Sequence, residues 1–217
     1  MTTAPDLTAD RRRALVLTPV SRETAARLDR FVDLLLATQS HTNLIGPATI
    51  GELWSRHIAD SLQLLDLAPG ARTWLDIGSG GGFPGLVIAC VLADQPGAAV
   101  HLVESHGKKA AFLRQVVEAL HLPATVHHRR VEDGMFDVNP NVVTARAVAP
   151  LPRLLDFVAP FVKSGAKALL PKGQDVEAEL TEAAKYWHIE AEMAPSRTNP
   201  ASRILIVRAL RRRNGKK

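Results

Sequence analysis

Ala25, Leu28, Phe31, Val32 and Leu35 recur at spacings of three and four, the mark of one apolar helix face, and Ser21 stands where the N-cap of that helix belongs. A second helix is predicted over 50–65. Both precede the first convincing strand, so residues 1–70 are expected to form an N-terminal helical cap. From Thr73 the texture changes. Segments 73–77, 99–103, 124–128, 141–145 and 166–171 read as short strands, and helical stretches at 83–94, 107–120, 151–161 and 175–186 alternate with them. Such alternation implies parallel strands joined by right-handed crossovers, hence a doubly wound α/β sheet. Two further strands near 189–193 and 203–209 lack an intervening helix and are expected to pair antiparallel at one end. The domain is thus expected over 71–210, followed by a basic tail over 211–217. Spacing alone leaves the strand order open.

Composition narrows the class. With 46% of 217 residues apolar and 23% charged, the chain can bury one good core, and collagen-like, disordered and coiled-coil readings are excluded. The longest apolar runs, 34–37 and 86–93, fall far below the roughly 18 to 20 residues that span a bilayer. Met1 to Asp10 carries two acidic residues and no basic or apolar block, unlike a secretory signal. The single cysteine, Cys90, permits no intramolecular disulfide and reads as a small core residue. A cytoplasmic protein with no membrane partner is expected. The net charge of +5 is unevenly placed: residues 203–217 hold seven basic residues and no acid, leaving −2 for the first 202. A locally docked polyanion fits this, as does an ordinary solubilising tail.

Candidate chemistry centres on Asp76-Ile77-Gly78-Ser79-Gly80-Gly81-Gly82-Phe83-Pro84-Gly85, which holds five of the 14 glycines between a strand and a helix. Such clustering lets a ligand approach the backbone closely, at the strand end where open α/β sheets bind ligands. Gly80, Gly82 and Gly85 satisfy the dinucleotide pattern G-x-G-x-x-G, so a nicotinamide or flavin must be weighed. Against it, Asp76 would repel a pyrophosphate, and Pro84 removes an N–H that an anion could use. S-adenosylmethionine, with an ammonium, a sulfonium and no phosphate, fits better. Glu104, ending the second strand, can accept ribose hydroxyls. Val131 and Glu132 lie where an adenine would rest.

These residues resemble the RsmG family, also called glucose-inhibited division protein B. The resemblance rests on the glycine turn, on Glu104-Ser105-His106-Gly107-Lys108-Lys109 with Phe112-Leu113-Arg114, and on Arg56-His57 with Asp60-Ser61-Leu62. It extends to Ala145-Arg146-Ala147 before Pro150-Leu151 and to Pro171-Lys172-Gly173, and covers Phe31 to about Val207. It implies a class I methyltransferase fold of strand order 3-2-1-4-5-7-6 with the last strand antiparallel. It further implies methyl transfer from S-adenosylmethionine to N7 of a guanosine in the 530 loop of bacterial 16S rRNA, presented as free rRNA, an assembly intermediate or the 30S subunit, by a monomer. By family motif the cofactor would touch Gly78, Phe83, Val131, Glu132 and Arg146, with Gly80 in the same turn and Asp76 and Glu104 in general methyltransferase roles. Thr144 departs from the family's more usual serine.

Guanine N7 carries a free lone pair, so no catalytic base is sought, and the scattered histidines and Cys90 lack metal-ligand spacing. The Asn/Asp-Pro-Pro-Tyr-like sequence of exocyclic-amine methyltransferases is absent after the fourth strand. Arg146 could meet guanine O6 or a phosphate, hold the cofactor side, or serve a structural ion pair. His57 and Asp60 lie three apart on one predicted helical face. Lys108, Lys109, Arg114, Lys172, Arg211, Arg212 and Arg213 are RNA-binding candidates, with solvated charge as the alternative. Trp54, Trp74 and Trp187 read as core residues, and few aromatics remain for single-strand stacking. A small-molecule or protein acceptor, a non-catalytic nucleic-acid module and a nicotinamide oxidoreductase are the competing functions.

Overall fold

The computed structural model describes residues 6–134 and 137–213. Helix α1 (Thr8–Leu17) was not visible in the sequence, because it buries only Asp10 and Ala14 and so carries no apolar stripe. Polar bonds hold it instead. Arg11 forks onto both carboxylate oxygens of Asp29 at 2.6 and 2.8 Å, and Asp10 Oδ2 accepts from the Trp54 and Ser55 amides at 2.8 and 3.2 Å. Helix α2 (Arg22–Gln39) begins as expected, with Ser21 Oγ accepting from the Thr24 N–H at 3.1 Å, and buries Leu28, Phe31, Val32 and Leu35. The single helix expected over 50–65 is broken into a 3₁₀ turn (Pro47–Glu52), a π turn (Trp54–Ala59) and the short α3 (Asp60–Leu62). The physical reason is Asp10: it takes the two amides that a continuous helix would direct to its preceding turn.

Strands β1 (Thr73–Ile77), β2 (Ala99–Glu104), β3 (Ala124–His128), β4 (Val142–Ala145), β5 (Lys167–Lys172), β6 (Trp187–Pro195) and β7 (Arg203–Arg212) form one seven-stranded sheet. Its order is β3-β2-β1-β4-β5-β7-β6, the order that the resemblance implied. The first five strands run parallel, while β7 is antiparallel to both β5 and β6. Helices α4 (Gly85–Leu92), α5 (Gly107–Ala119), α6 (Leu151–Lys163) and α7 (Val176–Ala183) make the crossovers. One face of the sheet packs α2, α4 and α5 around Phe31, Trp54, Trp74, Leu102 and Phe112, with Cys90 fully buried among them. The other packs α6 and α7 around Leu75, Val143, Leu155, Trp187 and Val207. All three tryptophans are core residues.

The reversal of β7 relocates charge. Arg203 pairs with Lys172 at the carboxyl end of β5, whereas Arg211 and Arg212 pair with His188 and Trp187 at the opposite end of the sheet. The tail expected from residue 211 is therefore corrected: β7 runs on through Arg212, whose guanidinium pairs with Asp156 and lies over the Trp187 ring. Residues 214–217 lie outside the described residues.

Candidate functional site

The glycine turn after β1 is fixed from beneath. Asp76 is 1% exposed and does not face solvent: Oδ2 accepts from the Gly85 N–H at 3.1 Å and Oδ1 from Thr144 Oγ1 at 3.0 Å. Burial pushes its carboxyl up to about 6 despite these bonds. The expectation that Asp76 meets the ligand's ammonium gives way to a supporting role, since the carboxylate is buried and turned toward Gly85 and Thr144 beneath the turn. Much of the glycine content is likewise a packing requirement. A Cβ on Gly85 would stand 2.3 Å from Leu102 Cδ2 and 2.7 Å from Asp76 Oδ2, and one on Gly81 would stand 2.9 Å from the Leu44 carbonyl oxygen.

Gly78 serves a different end. With φ at +68° it borders a cavity of about 230 Å³, where Val103, Val131, Val148 and Phe157 supply apolar walls and Glu132 lies at the rim. A slot at the carboxyl end of β1 and β2 with apolar walls and a polar lining from Ser105, Arg129, Arg130 and Arg153 suits a nucleoside, as open α/β sheets lead one to expect. Glu104 stands in sequence between the lining residues Val103 and Ser105, with Oε2 accepting from the Gly80 N–H at 2.9 Å and Oε1 from the His106 N–H at 2.7 Å, so the glycine turn and the start of α5 are tied to one carboxylate. Each oxygen keeps a second lone pair for a hydroxyl. Glu132 pairs with Arg153 at 2.9 Å. The residues fit an adenosine moiety, with Val103, Val131, Val148 and Phe157 for the base and the Gly78 backbone, Ser105 and nearby carboxylates for its polar groups.

Phe83 and Arg146, expected in the same set, lie elsewhere. Arg146 rests over the Phe83 ring at 5.3 Å, beside His57, which stacks on that ring at 4.9 Å. Arg146 Nη2 donates to His57 Nδ1 at 2.9 Å and Nη1 to the Arg56 carbonyl at 3.2 Å, and His57 Nε2 lies 2.9 Å from Thr49 Oγ1. Burial, then the charges of Arg146 and Arg56, drive the His57 imidazole down to about 3, so it is neutral. Asp60 Oδ1 accepts from Gln63 Nε2 at 2.8 Å and Thr198 Oγ1 at 2.9 Å, while Oδ2 stands 3.7 Å from Arg146 Nη1. Burial raises the Asp60 carboxyl, against the pull of Arg146. His57 and Asp60 thus meet through Arg146.

This cluster floors a cleft of about 510 Å³ walled by Arg13, Arg56, Thr198, Asn199 and Ser202, and a second of about 270 Å³ bounded by Lys172, Gly173, Ser202 and Arg203. Of the predicted RNA contacts, only Lys172 reaches these clefts, and its Nζ bonds Glu179 at 2.6 Å. Lys108 and Arg114 are exposed and Lys109 half-buried on α5. Arg211, Arg212 and Arg213, also RNA-binding candidates, stand at the other end of the sheet from these clefts. Sequence reasoning missed Arg13, Thr198, Asn199, Ser202 and Arg203, which reach the clefts from α1, the connection between β6 and β7 and the first residue of β7, and carry no periodic signal.

A sheet of this order, with a glycine turn after β1, an acid ending β2 and a slot beside them, defines a class I S-adenosylmethionine-dependent methyltransferase. Solved structures agree on the fold: an O-methyltransferase from Bacillus cereus in complex with SAH aligns over 93% of this chain and 97% of its own, with a TM-score of 0.59 and 16% identity. The O-methyltransferase TomG from Streptomyces achromogenes, in complex with SAM, aligns over 96% and 100% with a TM-score of 0.58 and 13% identity. The model of the rRNA small subunit methyltransferase G family (GidB) matches residues 24–205, and the chain belongs to that family. A ribosomal RNA small subunit methyltransferase G of a Bradyrhizobium species is 56% identical over 96% of this chain and 95% of its own length. Another, of Nitrobacter hamburgensis, is 56% identical over 97% and 82%.

Proposed function

We propose that the chain transfers the methyl group of S-adenosylmethionine to N7 of a guanosine in the 530 loop of bacterial 16S rRNA. The observation that carries this reading is the segment Arg146-Ala147-Val148-Ala149. Val148 and Ala149 line the slot beside Gly78, whereas Arg146 lines both polar clefts and Ala147 one of them, which supports a cofactor and an acceptor meeting across one wall. Gly78, Gly80, Glu104, Val131 and Glu132 would hold the adenosine portion of the cofactor, with Asp76 and Phe83 supporting the turn and Arg146. When bound, the cofactor supplies an already activated methyl electrophile.

The protein's own residues then have a positioning task. Guanine N7 needs no deprotonation, and His57 has both ring nitrogens in hydrogen bonds, so it holds Arg146 and does not act as a base. Aligning nucleophile, methyl and leaving sulfur accounts for barrier lowering on the order of 7 to 11 kcal/mol in well-oriented models. Arg13, Arg56 and Lys172 around the clefts suit a phosphate backbone. The same reading assigns residues 1–70 to a helical cap on the methyltransferase domain of 71–210, a monomer acting in the cytoplasm on rRNA or the 30S particle. Among the described residues no helix is long and apolar enough to cross a membrane.

The test is tritiated methyl transfer from S-adenosylmethionine to 30S subunits lacking the 530-loop methylation, with chemical cleavage at 7-methylguanosine to map the product. One mapped site in that loop is expected. Cofactor binding without transfer to 30S particles or free 16S rRNA would redirect the search to another RNA, a protein or a small molecule.

A further inference from the structure

The wall common to both clefts carries an acceptor and a donor side by side. Asp60 spends Oδ1 on Gln63 and Thr198, which fixes the plane of its carboxylate, while Oδ2 stands 3.7 Å from Arg146 Nη1, beyond hydrogen-bond length. Arg146 donates to the Arg56 carbonyl and to His57, two of the five N–H bonds that a guanidinium offers. Asp60 and Arg146 each line both the 510 and the 270 Å³ clefts. An anionic oxygen and a cationic N–H are thus presented next to each other at the mouth of the acceptor site.

Purines differ in the order of these groups. Guanine shows O6, an acceptor, beside N1–H and the N2 amine, both donors; adenine shows the N6 amine, a donor, beside an N1 lone pair. The Arg146–Asp60 pair is complementary to the first and reversed for the second. Resting on the guanosine acceptor proposed above, we infer that Asp60 is a specificity-determining residue, its Oδ2 accepting from guanine N1–H and the N2 amine while Arg146 donates to O6. N7 lies on the far side of O6 from N1, so this grip leaves the reacting lone pair uncovered. An adenine in the same pose would set its N1 lone pair against a carboxylate and its amine against a guanidinium, leaving buried groups unpaired, which is the strongest form of rejection open to a polar site.

The experiment uses the full chain and 30S particles reconstituted with guanosine or with inosine, which lacks only the N2 amine, at the methylated position. The wild type is expected to favour guanosine by about tenfold in kcat/KM, the worth of one charge-assisted hydrogen bond. In Asp60→Asn the two donors on Oδ1 keep the amide oxygen there and turn the NH2 toward the cleft, inverting the polarity of that position. Its preference for guanosine should shrink to within about twofold, with kcat/KM on guanosine about 10- to 100-fold lower and S-adenosylmethionine affinity retained. Thr198→Val, which frees the carboxylate to rotate, should move the ratio the same way by less. Equal wild-type rates on guanosine and inosine, or variants that slow both substrates by one factor, overturn the inference. Should Asp60→Asn lose cofactor binding, the wild-type ratio and Thr198→Val decide between these outcomes. Absence of any wild-type transfer to the guanosine particle is a different result and overturns the parent reading instead.

Discussion

Arg146 donates to His57 Nδ1, and that one bond settles the histidine's tautomer. With Nδ1 accepting, the ring proton resides on Nε2 and is donated to Thr49 Oγ1, whose own hydrogen goes to the Gly46 carbonyl at 2.8 Å. The guanidinium is thereby tied, through three hydrogen bonds of one sense, to the backbone where the helical segment after α2 begins.

His57→Ala should lower kcat by about 10- to 100-fold, as expected when a group loses its alignment, with little change in S-adenosylmethionine affinity. His57→Asn, whose amide oxygen can stand in for Nδ1, should recover most of the loss. Single-turnover methyl transfer alongside calorimetric cofactor titration separates the two quantities.

Acid stability should carry opposing signatures of His57 and Asp76. His57 is held near 3 against 6.5 unfolded, so its contribution is complete above about pH 6.5 and is lost as pH falls, at up to about 1.4 kcal/mol per unit. Asp76 is pushed up to about 6 from 3.8, so its contribution is present below the unfolded value and disappears as pH rises through about 6. Urea unfolding between about pH 4 and 7 should therefore show a flatter rise of stability with pH in His57→Asn and a steeper one in Asp76→Asn than in the wild type.

Two glycine substitutions should fail differently. Gly85→Ala meets Leu102 and Asp76 inside the fold and should cost about 1–3 kcal/mol in denaturant titration. Gly78→Ala places a Cβ 2.5 Å from Val148 Cγ2 at the cofactor slot. There the main loss should be at least about tenfold in S-adenosylmethionine affinity, with the folded state retained.

Charge position can be read from salt dependence. Arg56→Ala, at the cleft, should reduce the slope of log K against log salt for 16S rRNA by about 1, whereas Arg211→Ala, at the far end of the sheet, should leave it unchanged. Equal reductions would return the carboxyl-terminal arginines to the RNA interface.

Strands, crossovers and the glycine turn were legible because each leaves a local pattern: apolar runs of about five residues, helical spacing and clustered glycine. The acceptor side was not, because polar pairs join distant positions without any period. Asp10 with Ser55, His57 with Arg146 and Asp60 with Thr198 are 45, 89 and 138 residues apart. Asp76 misled for a related reason: its place at a strand end was correct, but only the Gly85 amide and Thr144 hydroxyl show that it points inward.

Ala147 lies between Arg146, which lines the two polar clefts, and Val148, which lines the slot beside Gly78, and it holds φ at +55°, a left-handed conformation costing an L-residue roughly 1–2 kcal/mol. A residue held there turns the chain sharply, so that its two neighbours in sequence, Arg146 and Val148, open onto different cavities.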